Sequence, residues 1–204
     1  MTVLFQFSGV ACAELNRAYS FSLHAGEIRL LQVVSAAEKE AVIDAVLGNG
    51  KCAEGAVLLQ GVPLGEIKLG SIGWVAANGG LISNLKVWEN VTLPLWYHAG
   101  HEPGETEQVI ASWLSALGMA ESEWVGFMES PPGRLLSWQR KLAGLLRGLV
   151  QMPPMLVVDA ALFEAVELHR AAAWMAALAT YAEQGRAVLV VAAGEAALPW
   201  KIIE

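Results

Sequence analysis

Few residues in this chain have types and spacings that could do chemistry, and most of those stand where a strand gives way to a helix. The run Ile28-Arg29-Leu30-Leu31-Gln32-Val33-Val34 is apolar enough for a buried strand and leads into Ser35-Ala36-Ala37-Glu38-Lys39-Glu40. Ser35 and Glu38 have capping-box spacing: Ser35 as N-cap accepts the Glu38 amide, and Glu38 reaches back to the Ser35 amide. Glu38 and Glu40 place negative charge in the first turn, where the helix dipole favours it. Lys39 reads as a solvated helix lysine, with phosphate ligation as the sharper alternative. Asp159 ends the apolar run Met155-Leu156-Val157-Val158-Asp159, where it could hold Mg²⁺, cap the next turn or pair with Lys39. His98, His101 and Glu102 cluster in sequence but lack metal-site spacing and read as loop residues, so no metal is expected. Cys12 and Cys52 lie far apart and read as reduced thiols.

The elements that must hold these groups alternate. Strand-like runs at 3–7, 19–24 and 28–34 precede a helix at 35–47 that Gly48-Asn49-Gly50 stops. Two more strand candidates follow at 56–60 and 72–76, then a mostly helical stretch over 84–149 that ends in a helix at 135–150. Strand 155–159, an Ala-rich helix at 164–184 closed by Gly185 and strand 187–192 complete the chain. This rhythm is that of an α/β domain with a mostly parallel sheet, N-terminal antiparallel strands and an inserted helical subdomain. A single domain is expected over 1–204, with a core at about 1–83 and 150–204 and the helical insert at about 84–149. Ligands of such sheets bind at the carboxyl ends of the strands, here near Val34 and Asp159.

Composition narrows the classes. The 204 residues are 55% hydrophobic and only 16% charged, which excludes intrinsic disorder. A net charge of −7 with 13 Lys plus Arg speaks against a nucleic-acid partner, which needs clustered cations. Mean hydropathy is +0.45, yet no apolar run reaches the roughly 18 residues of a membrane span. The first residues, Met1-Thr2-Val3-Leu4-Phe5-Gln6, carry no basic segment or cleavage site, so no signal peptide is expected and the cytoplasm is the expected compartment.

In its order of segments the chain resembles the nucleotide-binding subunit of an ABC transporter, over almost its whole length. Phe21-Ser22-Leu23-His24-Ala25-Gly26-Glu27-Ile28 is similar to that family's entry into the P-loop, and Gly61-Val62-Pro63-Leu64 to the turn after its antiparallel strands. Residues 72–75 and 80–91 are similar to the surroundings of the Q-loop. Leu135-Leu136-Ser137-Trp138-Gln139-Arg140-Lys141 resembles the signature helix, and Leu156-Val157-Val158-Asp159 the Walker B strand. Residues 85–98, with Asn90-Val91-Thr92-Leu93-Pro94-Leu95, are most like the ATPases of the Mce/Mla-type lipid transport systems. The resemblance implies a P-loop NTPase-like fold and a peripheral place at the inner membrane face. It implies as partners a second ATPase subunit, identical or competent, and a membrane-spanning permease.

At the positions that carry the family's chemistry the residues differ. A P-loop needs glycines to wrap phosphates, plus a Lys and a Ser/Thr for phosphate and Mg²⁺. Aligned on Lys39, the glycine positions hold Val33, Ala36 and Glu38, and Glu40 stands where Ser or Thr would hold magnesium. Ala160 occupies the general-base position after Asp159, Ala77 the Q-loop glutamine and Ala193 the switch histidine. Trp138 separates Ser137 from Gln139 in the signature, and no aromatic near residues 10–13 presents itself for adenine stacking. Lys39, Asp159, Ser137 and Gln139 are thus remnants of a nucleotide site, no residue is assigned a catalytic role, and no cofactor is expected.

Of the 8 tryptophans, Trp88, Trp96, Trp113 and Trp124 fall in the helical insert. Each alone reads as core filling, whereas Trp138, Trp88 and Trp96 are the interface candidates, because Trp is enriched at binding hot spots. The expected function is a scaffold and coupling subunit of a transport complex for a lipid or other hydrophobic substrate, without its own ATP hydrolysis. Two rivals stand beside it: an atypical but active ATPase that uses ATP and Mg²⁺ through Lys39 and Asp159, and a free-standing regulatory module. The chain ends soon after Trp200, without the family's usual C-terminal helices, which favours the scaffold or the module.

Overall fold

The computed structural model describes residues 2–11, 15, 17–49, 54–68, 70–98 and 103–203, with no side-chain description at 97–98 and 103–105. Contacts divide the chain into two compact units, Met1–Trp74 with Pro154–Ala160 and Ala182–Glu204, and Val75–Pro153 with Ala161–Tyr181.

In the first unit, β1 (Val3–Ala11), β2 (Tyr19–His24), β4 (Glu54–Leu59) and the two-residue β5 (Val62–Pro63) form an antiparallel sheet in the order β2-β1-β4-β5. Alternation in β1 buries Phe5 and Phe7, and the Phe7 ring lies 5.0 Å from that of its register partner Phe21. Each buried phenyl contributes about 1.5–3 kcal/mol, and the strands stay in register because a one-residue slip would turn these rings outward. The ladder of β1 shifts beyond Phe7, where Gly9 takes a φ of +59° and Gly55 of β4 presses so close that a Cβ there would meet Gly9 backbone at 2.6 Å. Only glycine permits that approach.

The second sheet follows the order β6-β7-β8-β3-β9, with β3 (Ile28–Val33), β6 (Ile72–Val75), β7 (Met155–Asp159), β8 (Ala187–Ala193) and β9 (Lys201–Ile202). Strands β7, β8, β3 and β9 run parallel. Every residue of β7 is buried, as is β8 up to Ala192, the continuous apolar pattern of strands covered on both faces. Helix α1 (Ala36–Leu47) packs Val42, Ile43, Ala45 and Val46 into this core and ends at Gly48, whose φ of +75° lets its amide turn back to Ala45 O.

The second unit holds α2 (Val87–His98), α3 (Pro103–Ala116), α4 (Glu121–Met128), α5 (Ser137–Val150) and most of α6 (Leu168–Glu183). Leu142, Leu145, Leu146 and Leu149 of α5 recur at the helical period and are buried. Buried Asn90 of α2 fastens the preceding loop: its Oδ1 accepts from Ile82 N at 2.7 Å and its Nδ2 donates to Leu85 O at 3.0 Å. The sequence places the start of α6 at 164, but the chain first makes a 3₁₀ turn at Ala160–Phe163 and puts Ala165 at a φ of +52°, outside helical geometry.

Candidate functional site

The carboxyl end of β3 meets the amino end of α1 through only two residues, Val34 and Ser35. Ser35 is the N-cap, with extended backbone and an Oγ that accepts the Glu38 amide at 3.1 Å. The expected return bond goes one residue further out: Glu38 Oε2 accepts from Val34 N at 2.8 Å, not from Ser35. Glu38 is 0% exposed, and its other oxygen accepts from the Tyr19 hydroxyl at 2.9 Å. One buried carboxylate thereby joins the Val34 amide to the tyrosine. Burial first, then the hydrogen bond to Glu38, raises the Tyr19 phenol above its ordinary value, against a smaller opposing pull from Arg17.

Lys39 is not the solvated lysine expected from sequence. Its Nζ donates to Asp159 Oδ2 at 2.7 Å, with the two side chains only 15% and 9% exposed. Of the three roles open to Asp159, the structure therefore shows pairing with Lys39. Glu40 lies past the first turn and is exposed, so Glu38 is the acid that faces the helix amino end.

Among the positions aligned with phosphate-wrapping glycines, Val33 is the buried last residue of β3, in register with Ala193 of β8. Ala36 already belongs to α1. Gly194 closes the end of β8 with its amide on Val33 O at 2.7 Å, and Ala160 is buried directly after β7.

In the second unit, α5 begins in a related way. Gln139 Oε1 accepts from Leu136 N at 2.9 Å, a residue three places into the helix reaching back to its N-cap amide. Ser137 is exposed, and half-buried Trp138 lies under the Arg170 guanidinium, 3.7 Å from the ring centroid. Lys141 Nζ donates to Ala161 O at 2.8 Å and Glu164 O at 2.7 Å. Ala77 lies in a tight loop whose Gly79 amide bonds Ala76 O. Arg147 of α5 donates to Gly80 O at 2.9 Å and Gly79 O at 3.2 Å, and burial lowers its pKa. Of the other interface candidates, Trp96 is 66% exposed, whereas Trp88 lines a groove of about 320 Å³ with Ile110, Leu114 and Trp124.

Sequence reasoning missed Tyr19 and Arg147. Both contact groups distant along the chain, and no local spacing signals either. The readings on His101, Glu102, Cys12 and Cys52 fall outside the described residues, as does the side chain of His98 and part of the 10–13 segment. No group of three or more potential metal ligands occurs among the described residues.

No protein-family model matches the chain. A probable ribonucleotide transport ATP-binding protein, mkl, of Mycobacterium leprae is 23% identical over 147 residues, which are 69% of this chain and 41% of that protein. The chain therefore matches only about two fifths of that relative's length. The cytochrome c biogenesis ATP-binding export protein CcmA of Pseudomonas fluorescens is 26% identical over 171 residues, 82% of this chain and 76% of that one. A solved structure of an ATP-binding subunit of an ABC transporter superposes with a TM-score of 0.78 at 17% identity, over 93% of this chain and 79% of the other. The fold is that of ABC transporter ATP-binding subunits, and the proteins to which this chain is similar are subunits of that kind.

Proposed function

We propose that this chain is a scaffold and coupling subunit of a transport complex, with the architecture of an ATP-binding subunit and no ATP turnover of its own. The observation that carries the reading is the buried Glu38 carboxylate, which holds Val34 N and the Tyr19 hydroxyl at the amino end of α1. A helix amino end grips phosphate through free amides and its positive dipole end. Here a fixed anion already stands at that dipole end, and Ser35 Oγ takes the Glu38 amide. A second anion about 4 Å away costs on the order of 4 kcal/mol at an effective dielectric near 20.

A Mg²⁺–triphosphate does not fit this turn. Residues 36–38, which a P-loop keeps as a wrapping loop, form the first turn of α1, and the Lys39 ammonium is engaged by Asp159. Ala160 offers no proton acceptor where the resemblance places a general base, a loss that typically costs 10²–10⁴-fold in rate. Gln139, folded back on Leu136, leaves the start of α5 capped in the same manner.

The complex would comprise a second ATPase subunit, identical or competent, and a membrane-spanning permease, with this chain held peripherally at the membrane. No helix among the described residues is long and apolar enough to cross one. A lipid or other hydrophobic cargo belongs to the proposal through residues 85–98 alone, and the name of one relative specifies ribonucleotides instead.

Calorimetric titration with Mg-ATP tests the reading: no saturable heat is expected at millimolar nucleotide, and micromolar binding overturns it. The Lys39–Asp159 pair at the sheet's carboxyl end favours the second reading, an atypical ATPase. ATP turnover by the purified protein that Lys39→Ala abolishes would establish that reading and sink the scaffold.

A further inference from the structure

A second concave site lies in the first unit, near the start of β3. Ser20, Phe21, Ser22, Arg29, Lys201, Ile202 and Ile203 line an open concavity of about 340 Å³, within the size range of small-molecule sites. Arg29 of β3 and Lys201 of β9 are register partners in parallel strands, so two cations stand side by side in a chain of net charge −7 with 13 cationic residues. Like charges across a strand pair repel. The nearby acid is shared: Glu27 Oε1 pairs with Arg29 Nη2 at 3.5 Å, while Glu27 Oε2 is taken by the His24 amide at 2.9 Å and ring Nδ1 at 3.2 Å. Lys201 has no ion-pair partner among the described residues. Ser20 accepts the Gly9 amide at 2.8 Å, which leaves its hydroxyl proton to donate.

We infer that this pocket binds a phosphomonoester: the phosphate bridges Arg29 and Lys201 and takes serine hydroxyl protons, and a small apolar substituent lies against Phe21, Ile202 and Ile203. A planar guanidinium and an adjacent ammonium suit a doubly charged, three-oxygen anion better than a single carboxylate. The site goes beyond the scaffold reading and is independent of it. Arg29 lies four residues before Val33, roughly 13 Å from the end of β3 that leads into the α1 turn, by strand rise.

Phenyl phosphate is the probe. Calorimetry is expected to show saturable one-to-one binding, weakened at least tenfold in Arg29→Gln and in Lys201→Gln, with unliganded unfolding of Lys201→Gln unchanged. Phenyl phosphate should also raise the melting temperature of the wild type and not that of Lys201→Gln. Absence of saturable binding at 10 mM, or wild-type affinity in either variant, overturns the proposal; the Mg-ATP titration reads the α1 turn separately. Lys201 is exposed on a two-residue edge strand, so its replacement tests the site even if Arg29→Gln disturbs folding.

Discussion

Removing the Glu38 carboxylate leaves a buried tyrosine hydroxyl and a backbone amide without their acceptor. Glu38→Ala is therefore expected to destabilise by about 3 kcal/mol and Tyr19→Phe by about 1 kcal/mol, read from urea unfolding. Because the two share one hydrogen bond, the double variant should lose less than the sum. The pH dependence carries a sign. Tyr19 titrates above its ordinary 10.0 when folded, so its contribution is intact below pH 10 and disappears as pH climbs through the raised folded value. The stability gap between wild type and Tyr19→Phe should narrow on that alkaline limb, and a gap that holds constant there would contradict the assignment. The Ser35–Glu38 spacing was legible because capping is local. Tyr19 was not, since its partner lies 19 residues away, and the Lys39–Asp159 pair, 120 residues apart, was legible only as one of three roles open to Asp159 until tertiary structure brought the two together.

Helix α5 meets the loop before α2 backbone to backbone. A Cβ on Gly144 would stand 2.3 Å from Gly79 O, and one on Gly79 would stand 2.0 Å from Arg140 O at a φ of +89°. Gly144→Ala is thus expected to cost about 1–3 kcal/mol, as overpacking does. Gly126→Ala in α4 meets nothing within 4 Å and should instead stabilise by about 0.5–1 kcal/mol. Equal effects of the two in thermal unfolding would refute the close approach. Long elements with strong patterning were readable before any coordinates: the buried runs of β7 and β8, α1 with its Gly48 stop, and the helical stretch. The two-residue strands β5 and β9 were not, because periodicity needs more residues than they possess. The late start of α6 hid behind an alanine in left-handed geometry, which composition does not announce.

Across the whole molecule, the resemblance carried by segment order matches the fold, because architecture is written in strand and helix order and survives the replacement of individual side chains. The scaffold reading needs apolar surface for partners. Val125, Leu136 and Leu168 of the second unit are 76%, 61% and 86% exposed. Leu136→Ser and Leu168→Ser should each leave unfolding free energy within about 0.5 kcal/mol of wild type, as surface changes do. They should also reduce co-purification with membrane subunits. Unfolding unchanged together with undiminished co-purification would remove these residues from the interface.

Arg147, with its guanidinium on two successive carbonyls, ties the fate of residues 79 and 80 to that of α5. The amides of Gly79 and Gly80 are themselves spoken for, by Ala76 O and the Asn78 side chain. In deuterium exchange the segment should therefore keep the slow clock of a core helix rather than the fast one of a surface turn, and Arg147→Met should set it running free.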